Sequence, residues 1–256
     1  MLLAVDVGNS NTVVGLFRDD QLLHRWRVST RSARTADEFA IELAALLAFA
    51  DQDLRHDVAG VVLASVVPTV TEAFRELSER LLDVPAVIVE PGVRTGISLR
   101  HEHPQDLGAD RIVNAVAAHG LYGGPSIVVD FGTATSFDAV SADGTFLGGA
   151  IAPGVHTSTD ALVHRAARLP TVETVAPPSA IGRSTVSALQ SGIVYGFAGQ
   201  VDGIVSRISE ELGPGVTTIA TGGSASAILD ACETIDHHDP WLTLKGLRLV
   251  WERNQR

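Results

Sequence analysis

A short apolar run that gives way to small polar residues occurs twice in this chain. The first copy reads LLAVDVGNSNTVVGLF from residue 2, and the second reads IVVDFGTATSFDAV from residue 127. Each predicts a β-hairpin whose turn carries the polar groups. Taken alone, either turn is also typical of a plain strand exit, because Gly, Asn and Ser favour turns. Placing Asp130 on Asp6 without a gap separates the copies by 124 residues, close to half the chain, which predicts a domain-scale duplication.

The segment between the two hairpins alternates between strand and helix patterns. Residues 22–30 alternate as a strand, and 35–50 predicts a helix that starts at a Thr35–Glu38 capping box. The continuous apolar run at 58–68 is typical of a buried parallel strand. A helix at 71–83, a strand at 86–90, an irregular stretch at 90–111 and a helix at 111–121 complete the predicted elements of this half. Their order predicts an α/β layer fold.

The second half predicts a similar set of elements after its hairpin. They are a strand at 145–151, a helix from about Ser158, a long helix from Thr185 to Leu212, a strand at 216–220 and a final helix at 242–254. The long helix contains Gly192, Gly196, Gly199 and Gly203, which share a face and permit close packing. That face predicts either dimerisation or tight packing within the chain. The two halves are predicted as similar domains, 1–115 and 116–256, that form a cleft.

Composition and charge restrict the class of protein. The 256 residues are 45% hydrophobic and 19% charged, as in ordinary globular proteins. A net charge of −11 argues against nucleic acid or an anionic membrane as a partner. Cys232 is the single cysteine, so no intramolecular disulfide is expected. Without an N-terminal basic segment or an apolar run of about 18 residues, the expected location is the cytoplasm.

The duplicated turns carry the first candidate chemistry. Glycine amides with Ser, Thr and Asn side chains can hold a polyphosphate, while Asp6 and Asp130 hold cations instead of repelling it. Neither GxxxxGK[ST] nor a strand–GxGxxG–helix pattern occurs, so the common phosphate loops are not expected. A third turn, IATGGSA at 219–225, has Gly222 and Gly223, which permit close approach of an adenosine group. Its alternative is a plain strand exit or a helix cap.

The segment LGADRIVN at 107–114 is the second candidate site. Gly108, Ala109 and Asp110 stand where a helix is predicted to begin, and free amides and the helix dipole favour anions there. In the alternative interpretation, Asp110 caps the N-terminus of this helix and Arg111 is a solvated residue of its first turn.

Seven segments together resemble the type III pantothenate kinases, members of the acetate kinase, sugar kinase, Hsp70 and actin superfamily. In order they are DVGNSNTVVGLF near residue 6, ASVVP at 64–68, GADR at 108–111, VDFGTATSFD at 129–138, GGAIAPG at 148–154, IGRSTVSALQSGIVYG at 181–196 and ATGG at 220–223. The resemblance implies two actin-like, ribonuclease H-like ATPase domains. It also implies ATP-dependent phosphorylation of pantothenate, the first step toward coenzyme A, by a cytoplasmic homodimer that needs a monovalent cation. Ser10 and Ser136 stand where the family often has Thr, and both keep the hydroxyl.

The resemblance also implies roles for individual residues. ATP contacts are implied for the first loop, which comprises Asp6, Val7, Gly8, Asn9, Ser10, Asn11, Thr12 and Val13, and for Thr133. Asp6 is expected to hold Mg²⁺ through water, and Asp130 to bind K⁺ or NH₄⁺. The pantothenate site matches Gly108, Ala109, Asp110 and Arg111, with Asp110 as general base. Thr185 matches a substrate contact made across the dimer interface.

Other readings stay open at this point. His237, His238 and Asp239 could bind a metal, although a solvated loop is favoured; His101 and His103 are expected at the surface, and Asp138 in the second hairpin lies near the predicted clamp. A non-catalytic nucleotide-binding accessory protein and a sugar or carboxylate kinase are the alternative functions. The intact Asp6, Asp110, Arg111 and Asp130 argue against the accessory protein, and the GADR segment with Thr185 discriminates against the sugar or carboxylate kinase.

Overall fold

The computed structural model describes residues 1–166 and 168–255, without the side chain of Ala227. The described chain folds into two compact units. The first contains Met1–Ile97, His101–Gly120 and the segment from Leu242 to the C-terminal end of the described chain, and the second contains Ser98–Arg100 and Leu121–Trp241. None of the described helices is long and apolar enough to cross a membrane.

The elements of both units follow here in chain order. The strands are β1 (Leu2–Val7), β2 (Asn11–Arg18), β3 (Gln21–Ser29), β4 (Gly60–Ser65), β5 (Ala86–Ile88), β6 (Ser98–Leu99), β7 (Ser126–Phe131), β8 (Ala134–Val140), β9 (Thr145–Pro153), β10 (Thr217–Thr221) and β11 (His237–His238). The helices are α1 (Ala36–Ala48), α2 (Pro68–Glu76, continued by a π-helical segment at Leu77–Leu82), α3 (Ala109–Tyr122), α4 (Val155–Arg165), α5 (Thr185–Leu212) and α6 (Leu242–Asn254).

The first unit contains a five-stranded sheet in the order β3-β2-β1-β4-β5. Strands β1, β2 and β3 are antiparallel, whereas β4 and β5 continue the sheet parallel to β1. One face packs on α1 and α2, where the rings of Phe39 and Phe74 lie 4.9 Å apart between their centroids. The apolar run of β1 is buried on both faces, which explains why its hydrophobic residues are continuous instead of alternating.

Helix α6 covers the other face of this sheet. A Cβ placed on Gly60 of β4 would lie 2.1 Å from the ring of Trp251, and one on Gly15 of β2 would lie 2.8 Å from Leu244. The final helix therefore belongs to the first unit, and the predicted second domain of 116–256 is corrected at its C-terminal end. Sequence periodicity shows that a helix is amphipathic but does not show which sheet its apolar face covers.

The second unit repeats this plan. Its sheet has the order β11-β10-β7-β8-β9-β6, with β7, β8 and β9 antiparallel and β10 and β11 parallel to β7. Strand β6 is an addition that pairs with the outer edge of β9. Side chains of β7 and β8 pack against α5, with Phe131, Phe137 and Val201 in the core. The order of directions matches the first sheet strand for strand, which confirms the predicted duplication.

Strand register corrects the ungapped alignment of the two hairpins. Thr12 lies opposite Val7 in the first hairpin, and Thr135 lies opposite Phe131 in the second. Thr12 and Thr135 are therefore structural equivalents, although the ungapped alignment places Asn11 on Thr135. The second turn is shorter by one residue, so the copies lose their alignment after the turn.

Most predicted elements are confirmed, including the Thr35–Glu38 capping box and α5 over its whole length. Three helices begin two or three residues earlier than predicted: α2 at Pro68, α3 at Ala109 and α4 at Val155. Proline suits the first helical position, as in α2. Glycine precedes α3 and α4, so neither helix start has the capping side chain by which a sequence marks it.

Candidate active site

The first turn, Gly8–Ser10, connects β1 to β2 at one edge of the sheet. The Gly8 amide donates to the Asn11 carbonyl (3.0 Å), and the Thr30 amide donates to the Ser10 carbonyl (3.0 Å). The Thr30 hydroxyl donates to the Gly8 carbonyl at 2.7 Å. The side chains of Asn9, Ser10 and Asn11 are exposed, as a ligand-binding turn requires. Those of Val7 and Thr12, two other members of the predicted loop, are buried and support it from within.

Asp6 lies at the end of β1, beside the residues that follow β4. It is half-buried and pairs with Val13 on one side and Ala64 on the other. Because β1 and β4 are parallel, their carboxyl ends share one edge of the sheet. The Val66 amide extends that pairing by donating to the Val7 carbonyl (3.0 Å). The ASVVP segment therefore lies directly beside the end of the strand that carries Asp6.

The GADR segment reaches the same region of the first unit. A Cβ placed on Gly108 would lie 3.9 Å from Val66, and only 2.4 Å from the Asp110 Oδ1 atom. Glycine at 108 thus leaves space for the Asp110 carboxylate. Three of the predicted segments, the first turn, ASVVP and GADR, are brought together here.

Asp110 is half-buried and stands inside the first turn of α3. The helix begins at Ala109, so Gly108 occupies the cap position and its carbonyl accepts from the Ile112 amide (3.3 Å). The Asp110 Oδ1 atom accepts from the Arg111 amide at 2.9 Å. The alternative reading of Asp110 as the N-cap is therefore wrong. A carboxylate in the first turn is favoured by the helix dipole and keeps its second oxygen for other partners.

The second turn, Gly132–Thr133, is held from two sides. The Gly154 amide donates to the Thr133 carbonyl (3.2 Å), and the Thr157 hydroxyl donates to the same oxygen at 2.7 Å. The side chain of Thr133 is exposed. A Cβ on Gly154 would lie 2.4 Å from the Thr133 carbonyl oxygen, so only glycine permits this close approach. The sequence did not predict Thr30, Gly154 or Thr157 as residues of the site.

Asp130 stands in the second unit where Asp6 stands in the first. It is half-buried at the end of β7, opposite Ser136 and Thr221. Gly222 follows Thr221 with a φ of +94°, and a Cβ there would lie 2.5 Å from Asp130 Oδ1. The close approach that Gly222 permits is thus to this chain's own Asp130. Gly223 is exposed beside it, and contact of either glycine with adenosine stays a prediction.

Thr185 is exposed at the first position of α5. Ser184 caps the helix, accepting from the Ser187 amide (3.2 Å). A cavity of about 640 Å³ adjoins this helix start. Its lining consists of Leu169, Gly182, Arg183, Ser184, Thr185, Ala188 and Leu189.

Three of the four glycines predicted to share a face of α5 do not pack within the described chain. Gly192, Gly196 and Gly199 are exposed, and a Cβ on any of them would meet no atom within 4 Å. Tight packing within the chain, one of the two predicted explanations, is therefore wrong for these three residues. Thr185 precedes Gly192 by seven residues, two helical turns, and so lies on the same face.

The favoured interpretation of residues 237–239 as a solvated loop is wrong. His237 and His238 form β11 and are exposed, whereas Asp239 is buried. Asp239 accepts hydrogen bonds from the Tyr122 hydroxyl and from the Trp241 amide, both at 3.1 Å. Burial and the Asp239 charge raise the pKa of Tyr122 to about 12. Among the described residues, no group of three or more His, Cys, Asp or Glu side chains could hold a metal ion.

The remaining candidates have local roles. His101 is half-buried and accepts from the His103 amide at 3.2 Å, and His103 is exposed. Asp138 is fully buried in β8, opposite Val128 of β7, and accepts from the Ser136 hydroxyl at 3.5 Å, so it belongs to the strand and not to the second turn.

Comparison with known proteins gives matches over most or all of the chain. A family model of type III pantothenate kinase matches residues 2–207. The type III pantothenate kinase of Thermobifida fusca (strain YX) is 55% identical over 258 residues, with 99% of this chain and 100% of that protein covered. The Streptomyces coelicolor type III pantothenate kinase is 54% identical over 261 residues, with 99% and 98% covered.

Solved structures share the fold at much lower identity. A Baf family transcriptional activator from Campylobacter jejuni superposes with a TM-score of 0.62 at 19% identity, covering 99% of this chain and 98% of that one. A ROK hexokinase from Thermus thermophilus gives 0.53 at 15% identity, with 100% and 99% covered. These likenesses confirm the predicted two-domain, actin-like α/β fold and bear on the fold alone.

Proposed function

The chain belongs to the type III pantothenate kinase family and phosphorylates pantothenate for coenzyme A synthesis, and on that premise we propose that Asp110 is its general base. The observation that carries this role is the placement of Asp110 in the first turn of α3, beside the Gly108 backbone. One carboxylate oxygen is held by the Arg111 amide, which fixes the orientation of the group. The carboxylate then accepts the proton of the pantothenate hydroxyl as it attacks the γ-phosphorus of ATP. Phosphoryl transfer depends mainly on positioning, so a late proton transfer suffices.

Arg111 is proposed to attract the pantothenate carboxylate. It follows the base in the sequence and is half-buried, so its charge is less screened than that of an exposed side chain. The chain has a net charge of −11, and an anionic substrate therefore needs a local cation. Together with Gly108 and Ala109, Arg111 completes the proposed pantothenate segment.

The two hairpin turns are proposed to contact the phosphates of ATP. In the first, Asp6 to Val13 form the loop, and its exposed Asn9, Ser10 and Asn11 supply hydrogen-bonding groups. In the second, the exposed Thr133 supplies a hydroxyl. Gly222 and Gly223 are proposed to lie near the adenosine.

Both aspartates suit the cations proposed for them. Mg²⁺ prefers a carboxylate oxygen with several waters retained, and Asp6 is a half-buried carboxylate next to an exposed polar turn. Bound there, Mg²⁺ would neutralise phosphate charge. Asp130 is proposed to hold K⁺ or NH₄⁺, because its half-buried carboxylate would otherwise repel a triphosphate near Thr133.

A homodimer is proposed from the exposed face of α5. Gly192, Gly196 and Gly199 form an open strip on which a second copy can approach closely, and Thr185 lies at the end of the same face. Thr185 is proposed to complete the pantothenate site of the neighbouring subunit. We further propose that the enzyme acts in the cytoplasm, where its substrate ATP is available.

The test is an ADP-release assay with pantothenate, acetate and a panel of sugars as acceptors. We expect turnover with pantothenate alone. Turnover with a sugar or acetate and none with pantothenate would assign the chain to another kinase class, and nucleotide binding without turnover of any acceptor would make it an accessory protein.

A further inference from the structure

Each of the two proposed phosphate turns is held by a threonine hydroxyl from outside the turn. Thr30 donates to the Gly8 carbonyl, and Thr157 donates to the Thr133 carbonyl, both at 2.7 Å. Thr30 follows the end of β3, whereas Thr157 lies in the first turn of α4. The same type of contact is thus made twice, by residues that occupy different places in the two halves.

Strand register shows which positions of the two halves correspond. Asn11 pairs with Ser29 in the first sheet, and Ala134 pairs with Pro153 in the second. The next residues, Thr30 and Gly154, are therefore equivalent. Their amides make equivalent bonds, to the Ser10 carbonyl (3.0 Å) and to the Thr133 carbonyl (3.2 Å).

Gly154 cannot supply the side-chain bond that Thr30 makes. A Cβ at Gly154 would lie 2.4 Å from the Thr133 carbonyl oxygen and 2.5 Å from that of Gly132. The shorter second turn lies too close to the end of β9 for any side chain at this position. A hydroxyl comes instead from Thr157, three residues further along the chain, and it bonds to the Thr133 carbonyl, which by register corresponds to Ser10 and not to Gly8.

Two buried threonines, one in each half, reflect this difference between Thr30 and Gly154. Thr12 and Thr135 are equivalent in register, and their exposed fractions are 2% and 1%. The Thr12 hydroxyl hydrogen-bonds to that of Thr30 at 2.9 Å. The Thr135 hydroxyl has no hydrogen-bond partner within the part of the chain that the structure describes. The second half therefore lacks the buried threonine–threonine hydrogen bond of the first half, although a threonine hydroxyl still donates a hydrogen bond to its turn.

We infer that Thr157, with Thr30 as its counterpart, is a positioning residue for ATP. A carbonyl oxygen directed at a phosphate would repel it, and a donated hydrogen bond both satisfies that oxygen and fixes its direction. Thr157 thereby orients the Thr133 turn so that its amide and hydroxyl face the phosphate. Preorganisation of this kind strengthens binding because less order has to be imposed when the ligand arrives. The inference rests on the proposed role of Thr133 as an ATP contact.

The test compares Thr157→Val, which removes the hydroxyl, with Thr157→Ser, which keeps it. Thr145→Val is the matched control, since Thr145 lies at the opposite end of β9 and its hydroxyl bonds to Asp143 at 3.3 Å. We expect Thr157→Val to raise KM for ATP by about 3- to 10-fold, the range of one hydrogen bond. KM for pantothenate and the melting temperature should stay close to those of the parent. Thr157→Ser and Thr145→Val should keep the parental KM for ATP.

An unchanged KM for ATP in Thr157→Val would overturn the inference, as would equal rises in Thr157→Val and Thr145→Val. A rise shared by Thr157→Ser would also overturn it, because the hydroxyl would then not be the cause. Failure of the proposed function can be distinguished from failure of this inference, because the parent protein itself would then not turn over pantothenate. In that case the dissociation constant for ATP, measured by calorimetry on the same variants, still decides the role of Thr157.

Discussion

Asp110 is the residue on which the proposed chemistry depends most directly. Asp110→Asn keeps the size of the side chain and an oxygen that can accept from the Arg111 amide, but it abolishes basicity. We expect kcat to fall by about 10²–10⁴-fold, the usual contribution of a positioned general base. ATP affinity, measured by calorimetry, should stay unchanged.

Asp106→Asn is the control for this change. Asp106 is exposed in a single helical turn just ahead of α3, and the substitution removes the same charge from the same region. Its kcat should equal that of the parent. If Asp110→Asn also kept kcat within a few-fold, Asp110 would not be the base, and Asp6 would be the next residue to test.

Single residues differ in how far their roles could be predicted from the sequence. Asp6 and Asp130 were found because the Asp–apolar–Gly pattern occurs twice, and Asp110 because the GADR segment resembles that of a known family. Thr157 could not be found in this way, since its acceptor is a backbone carbonyl of another element. Backbone acceptors are present at every residue and leave no trace in the sequence.

At the scale of elements, α5 provides the sharpest prediction. Gly196→Leu places a large side chain on the open face of this helix, where it would hold two copies apart. We expect sedimentation velocity to show a shift from dimer toward monomer at micromolar concentration.

Ala44→Leu adds similar bulk to an exposed position of α1 and serves as the control. It should leave the sedimentation coefficient unchanged. A Gly196→Leu protein that sediments like the parent would show that the α5 face is not the interface.

The first residues of α3 and α4 are boundaries that could not be predicted accurately from the sequence. Both helices are preceded by glycine, and in each case a side chain there would collide with the turn or carboxylate beside it. The close approach that requires Gly108 and Gly154 thus removes the capping signal. The boundaries are hardest to predict at the site because the site imposes glycine on them.

At the scale of the whole molecule, the proposed sharing of Thr185 between subunits can be tested by mixing variants. Asp110→Asn and Thr185→Ala should each lower activity when prepared alone. In a mixed dimer, one site receives Asp110 and Thr185 that are both intact. After unfolding and joint refolding, about a quarter of all sites should be restored if subunits pair at random.

The two variants refolded separately and then combined provide the control for this experiment. Activity of the refolded mixture that equals the sum of these two samples would show that each subunit completes its own site.

The proposed cation requirement also belongs to the whole enzyme, because it concerns turnover rather than a single contact. If Asp130 holds a monovalent cation beside the triphosphate, as proposed, activity should depend on K⁺ or NH₄⁺ beyond any effect of ionic strength. We expect a much lower kcat in Na⁺ at matched salt concentration, measured by the same ADP-release assay. Equal rates in the two salts would exclude a specific monovalent site.

The overall architecture was largely predictable, because the repeat of the Asp–apolar–Gly pattern at Asp6 and Asp130 revealed the duplication. Two features were not. The one-residue difference between the turns became visible only in strand register, where Thr135 takes the place of Thr12. The return of the last helix to the first unit depends on long-range packing of Trp251 on Gly60, which local periodicity does not encode.

The packing of α6 on the first unit has a consequence for synthesis of the chain on the ribosome. The strands of the first unit emerge early, but one face of their sheet is covered by α6, which is translated after every strand of both units. The second unit, Leu121–Trp241 with its short added strand, has all its residues before α6 is translated. We therefore expect nascent chains to complete the second unit first, and to leave an apolar surface on the first unit that a chaperone can bind until α6 has been translated.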